Sequence, residues 1–231
     1  MNPVERRNRD WLAILLVAPA PTIGVVLGMY YGVTVAFVLA KLWIVVAPIV
    51  WWVVVDRKAP SLSLARRGGW KAAWVTGMVA AVAILVAYFG VARSLIDPGD
   101  LRNIFAGHGV TGPWRYAAVA LYWILINSVI EECVFRWFLV EKGEAVVGGT
   151  GAVLLSALIF VAHHTVAMAT FLPWGFNALS SAAIFAAGVA WSVLYFRYRS
   201  VWVPYLSHAL ADIAIFLCGA HMLFLAKPGP L

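Results

Sequence analysis

Ionisable side chains are scarce in the apolar stretches of this 231-residue sequence, and those that occur recur at helical spacings in its C-terminal half. Glu131, Glu132 and Arg136 lie in "LINSVIEECVFRWFLVEK", His163 and His164 in "SALIFVAHHTVAM", and His208 and Asp212 in "VPYLSHALADIAIF". Carboxylates and imidazoles together can take a proton from water, pass it to a leaving group, or ligate a metal ion. Glu132 and Arg136 are four residues apart, in the favoured acid-before-base order on one helix face, so this carboxylate has a countercharge on its own helix. Glu131 lies about 100° around the helix from Glu132 and is expected to be the freer of the two, open to act as a general base. His208 and Asp212 are also four apart, so the carboxylate is expected to hold and orient the imidazole. His163 points away from His164 by the same helical step and is assigned no catalytic role.

These groups would be unremarked on a water-facing helix. In a bilayer each charge costs roughly 2.5–3.5 kcal/mol to insert and is retained for a reason. Composition decides between the two solvents. Hydrophobic residues make up 64% of the chain and charged residues 12%, about half the charge of an ordinary soluble domain, and the mean hydropathy is +0.90. The chain is expected to be all-α, a polytopic transmembrane helix bundle forming a single integral membrane domain over residues 1–231. The net charge of +7 is dispersed in short basic clusters between apolar runs, which argues for topology signals and against nucleic acid. Cys133 and Cys218 fall within apolar runs and read as buried thiols, not a disulfide.

Seven apolar runs are long enough to cross a hydrocarbon core of about 30 Å: approximately 11–31, 33–55, 72–92, 115–140, 150–172, 178–196 and 204–226. The first is taken as a retained span in preference to a signal peptide. Alternating the spans puts Arg6, Arg7, Arg9, Arg57, Lys58, Arg66, Arg67, Lys71, Lys142, Arg197 and Arg199 on one side. Only Arg93, Arg102, Arg115 and Lys227 fall on the other, which predicts a cytoplasmic N-terminus. Lys41 is left within the second span and is given no function. The 93–115 segment is read as an ordinary connector. At a helical rise of about 1.5 Å per residue, Glu131, His164, His208 and Asp212 can share one layer in the middle to cytoplasmic part of the bilayer.

"EECVFR", "FVAHH" from Phe160 to His164, and "HALAD" from His208 to Asp212 resemble the EExxxR, FxxxH and Hxxx(N/D) motifs of the CPBP (Abi, CAAX-protease-like) family of intramembrane endopeptidases, in the same order. The resemblance covers about 115–226. It implies a glutamic-type protease of a prokaryotic cytoplasmic membrane that hydrolyses a membrane-anchored protein or peptide, by CAAX-like or C-terminal sorting-signal processing, with no cofactor. By the same resemblance Glu131 corresponds to the general base and His164 to its partner in activating water. His208 corresponds to a donor facing the oxyanion, Asp212 to the Asn-or-Asp position beside it, and Glu132 with Arg136 to supporting residues. An ionised Asp212 would repel an oxyanion, so it is expected to orient His208 or to remain protonated.

Two alternatives stay open. Zinc could be the cofactor of a membrane protease whose ligands are the same Glu131, His164, His208 and Asp212, since nitrogen and oxygen donors suit a catalytic site with an open water position. A non-enzymatic immunity or binding protein could use the cluster to hold a partner helix. Nothing in the sequence fixes the oligomeric state.

Overall fold

A computed structural model describes residues 2–58 and 67–226, so Arg66 and Lys227 of the charge count lie outside the described residues. The fold is all-helical, as expected, and no strand occurs among the described residues. Helix α1 spans Pro3–Tyr30, α2 Thr34–Val55 and α3 Trp70–Leu95. A short helix α4, Pro98–Gly107, occupies what was read as a plain connector; Asp97 caps it by accepting from the amides of Gly99 and Asp100. The first helix starts earlier than hydrophobicity indicated. Asn2 and Glu5 form a reciprocal capping box that extends it over the charged N-terminal residues.

Among the described residues six helical segments are long and apolar enough to cross a membrane, one fewer than the seven runs, because Pro113–Met168 is continuous over 56 residues. Its length is that of two spans, and Gly148 breaks it with φ 76° and ψ 171°, a conformation that only glycine adopts readily. Residues 113–147 (α5) and 149–168 (α6) fold back on each other: the Ser156 hydroxyl donates to the Phe135 carbonyl, and Gly143 faces Ala152. Helices α7 (Trp174–Tyr198) and α8 (Trp202–Leu225) complete the bundle.

Helix α5 is central and touches α2, α6, α7 and α8, while α1 pairs with α2 and reaches α6, where the Tyr30 hydroxyl donates to the Val166 carbonyl. Helix α3 packs along α8, where a Cβ on Gly77 would lie 2.7 Å from Leu210 Cδ1 and 2.9 Å from Ser207 Cα. The backbones approach this closely because glycine has no side chain, a common device between helices in lipid. The polarity is that of a membrane protein. Val79, Val86 and Leu179 are each more than 60% exposed, whereas Glu132 and Arg136 are 0% exposed.

The two ends of the bundle are pinned differently. At one end Lys142 reaches Asp10 (3.0 Å) and Asp56 (2.5 Å), Arg9 joins Asp56 (3.2 Å), and Arg199 grips Glu144 through two bonds of 2.8 and 3.0 Å. The hydrogen-bonded Glu144 carboxylate raises the Arg199 guanidinium pKa above its ordinary value. These contacts bring the start of α1, the end of α2, the α5–α6 turn and the end of α7 to one face, the grouping that the charge count required. At the opposite end Arg102 of α4 donates to the carbonyls of Leu223 (2.8 Å) and Ala226 (2.6 Å), capping α8.

Candidate active site

Helix α5 sets out its polar residues in two rows. Asn127 and Glu131 form one, Ser128, Glu132 and Arg136 the other, each with the four-residue step that stacks side chains on a helix. From Glu132 to Val140 the helix winds with wider i→i+5 bonds, a local variant frequent at functional sites. Helix α6 supplies His163 and His164, and α8 supplies His208 and Asp212. All are buried except His164, which is half-buried.

Glu132 is shared between two partners. Its Oε1 meets Nδ1 of His208 at 2.8 Å, and its Oε2 lies 3.3 Å from Nε of Arg136. The guanidinium sits among aromatic faces, 4.5 Å from the ring centre of Phe160 and 5.3 Å from that of Trp191. Trp191 also stacks on the His208 imidazole, with ring centres 4.1 Å apart and planes 16° from parallel, and its indole N–H donates to Ser207. His208 is thus gripped at Nδ1 and on one face. Its Nε2 is turned to the gap between Oε2 of Glu131 (3.8 Å) and Oδ1 of Asp212 (3.7 Å).

That arrangement corrects two expectations. His208 is oriented by Glu132, not by Asp212: the hydrogen bond runs across helices, and Asp212 instead accepts from the Ser128 hydroxyl at 2.5 Å. Nor is Glu131 unpartnered. Its Oε1 accepts from the Asn127 amide at 2.9 Å, and the Lys41 ammonium of α2 stands 3.9 Å away. Lys41, left without a function in the sequence, donates to the Asn127 carbonyl at 2.7 Å. Lys41, Asn127, Ser128 and Trp191 are therefore site residues that motif reading missed. For Asn127 and Ser128 a signal existed, since each lies four residues before a glutamate. Lys41 had only its position as the one lysine inside an apolar run.

His164 turns Nδ1 to the Phe160 carbonyl at 2.9 Å, so this nitrogen donates and Nε2 keeps a lone pair. One ligand atom each from Glu131, His163 and His164 lies within 4.8 Å of the others, close enough for a shared water or, with small side-chain shifts, a metal ion. The trio differs from the expected zinc set: His163 is in it, and His208 and Asp212 are not. The His163 and His164 rings are 4.0 Å apart. Cys133 and Cys218 are free thiols outside these contacts.

Residues 113–214 match the family model of Rce1-like proteins, described as type II CAAX prenyl endopeptidases. This segment is similar to CPBP-family sequence. The CPBP segment begins with α5 and ends two residues past Asp212, so it contains every motif residue, whereas α1 to α3, and Lys41 with them, lie outside it. The match over this segment supports a protease, and the spans make the chain an integral membrane protein. Comparisons with curated proteins and with solved structures find no match.

Proposed function

We propose that the protein is an intramembrane endopeptidase of glutamic type that hydrolyses a peptide bond in a membrane-tethered or transmembrane protein of a prokaryotic cytoplasmic membrane. The observation that carries this is the approach of a Glu131 oxygen and a His164 nitrogen to within 4.8 Å in a buried site, a separation spanned by one water hydrogen-bonded to both. Glu131 takes a proton from that water while His164 accepts its second hydrogen and aims it. The hydroxide oxygen bonds to the scissile carbonyl carbon, and the carbonyl electron pair moves onto oxygen. His208 Nε2 donates to this oxyanion when the ring carries both protons, Nδ1 being held by Glu132. Collapse of the tetrahedral species breaks the C–N bond, and the proton on Glu131 passes to the leaving amine. Asp212, bonded to Ser128, lies beside the oxyanion position and shapes it without orienting His208.

The Rce1-like description points to a prenylated CAAX-type C-terminus as substrate, with a C-terminal sorting signal as the neighbouring class. A site flanked by the basic, cytoplasmic end suits a tail that approaches from that side.

One observation favours a second reading. The Glu131, His163 and His164 trio offers three donors of the kind zinc takes in hydrolases, and a metal there would supply Lewis acidity to water. Cleavage of a prenylated CAAX peptide by the purified protein separates the readings. The metal-free reading expects full activity after exhaustive chelation and loss of activity in Glu131→Gln. Activity abolished by the chelator and restored by zinc supports the metal reading. Preserved cellular function in Glu131→Gln supports a binding or immunity role instead.

A further inference from the structure

We propose that Lys41 is a positioning residue of this active site, acting through Asn127 to fix the Glu131 carboxylate in its working orientation. The inference rests on the reading of Glu131 as the base. Asn127 is 2% exposed and stands between the two charged groups, with Oδ1 2.7 Å from Lys41 Nζ and Nδ2 2.9 Å from Glu131 Oε1. A carboxamide can face either way in a symmetric setting. Lys41 removes the symmetry because an ammonium only donates and so accepts nothing but the amide oxygen as partner. The NH2 group is then directed at Glu131 and occupies Oε1. Oε2 is left on the side of His208, 3.8 Å from its Nε2. Without the lysine the amide is free to turn its oxygen toward the carboxylate, two acceptors would face each other, and the carboxylate would swing away.

Lys41 is held for this task. It crosses from α2 to α5, with its side chain 27% exposed and Nζ 5.6 Å from the centre of the Trp123 ring and 5.9 Å from that of Phe37, so two aromatic rings flank the charge. Its backbone is anchored nearby, since Gly24 and Gly28 of α1 let Ala40 and Phe37 approach within van der Waals reach. The first spans, outside the CPBP segment, therefore contribute to the site and do not merely scaffold it.

Two measurements on the full chain in lipid nanodiscs test this, one independent of any substrate. The first is the infrared carboxylate band of Glu131, obtained as the wild-type spectrum minus that of Glu131→Gln. The same difference is taken in Lys41→Met and Lys41→Arg backgrounds. The band is expected to shift in Lys41→Met, which ends the directed amide bond, and to stay in place in Lys41→Arg, which still only donates. An unmoved band in Lys41→Met overturns the proposal.

The second is turnover of a prenylated CAAX peptide. Misplacing a reacting group by about 1 Å costs up to about 100-fold, so kcat should fall about 10- to 100-fold in Lys41→Met with KM nearly constant and recover in Lys41→Arg. Lys41→Met combined with Asn127→Leu should be no slower than the slower single variant, because both act through one chain. A change in KM alone, or losses that multiply, would indicate a merely structural lysine. The two readings fail separately. A shifted band together with an active Glu131→Gln overturns the proposed base, whereas an inactive Glu131→Gln with an unmoved band overturns only the role of Lys41.

Discussion

Each carboxylate at this site is spoken for by a different neighbour, and that division of partners is what the residue-scale predictions test. Glu132 holds His208 and offsets Arg136, which is 0% exposed and has no hydrogen-bond partner among the described residues. Removing the charge in Glu132→Gln leaves a buried cation alone, a change that costs about 3–5 kcal/mol when one partner of a buried pair is deleted. The thermal unfolding midpoint in detergent should fall accordingly, and Glu132→Leu combined with Arg136→Met should be more stable than Glu132→Gln alone. Asp212 has a different duty. An asparagine can still accept from Ser128 and adds an N–H beside the oxyanion position, so Asp212→Asn should keep most of the peptidase rate and Asp212→Leu should not. Near-complete loss in Asp212→Asn would mean that the charge itself is required. On α6, His164→Ala should be inactive and His163→Ala active in metal-free buffer. The reverse would move the catalytic imidazole by one residue.

At the scale of elements, the site depends on how α8 is seated, and Gly77 lets α3 pack closely along it. A methyl group on Gly77 would sit 2.7 Å from Leu210, so Gly77→Ala should force α3 and α8 apart and disturb the seat of His208 on α8. Overpacking of this kind costs about 1–3 kcal/mol. A drop in kcat and in unfolding midpoint together would report it, whereas unchanged kinetics would mean that α3 does not hold α8 in register. Much of this scale was legible in the sequence. Seven apolar runs gave the spans, and the four-residue step of Glu132 and Arg136 gave their pairing, because both facts are local. What was not legible is where helices compete for the same side chain. His208 and Asp212 share a helix face, but Glu132 and Ser128, from α5, bind them first at 2.8 and 2.5 Å. The partner of Glu131 was hidden for the same reason, since Lys41 comes from a span whose only local signal was an isolated charge. The break at Gly148 falls in the gap between the runs 115–140 and 150–172, so the turn was legible although the residue that makes it was not.

For the whole molecule, the basic end ties four chain segments together through ion pairs, the most buried of them centred on Lys142. Lys142 is 6% exposed between Asp10 and Asp56, so Lys142→Met leaves the buried Asp10 without its cation, while Asp56 keeps Arg9, and should destabilise the bundle by about 3–5 kcal/mol. The unfolding midpoint reads this directly, with little change in the peptidase rate at temperatures where the variant is folded. Reporter fusions at the N-terminus and after Gly107 should be found on opposite sides of the membrane, the N-terminus in the cytoplasm, because the excess of Lys and Arg marks that side. Fusions on the same side would remove a span from the account. The central claim, that a membrane-buried carboxylate activates water for peptide hydrolysis, is met most directly by comparing single-turnover cleavage of a prenylated CAAX peptide by wild type and Glu131→Gln in nanodiscs. Loss of a general base costs about 10²–10⁴-fold, and a fall in that range with substrate binding preserved is the predicted result. Equal rates for the two proteins would contradict it.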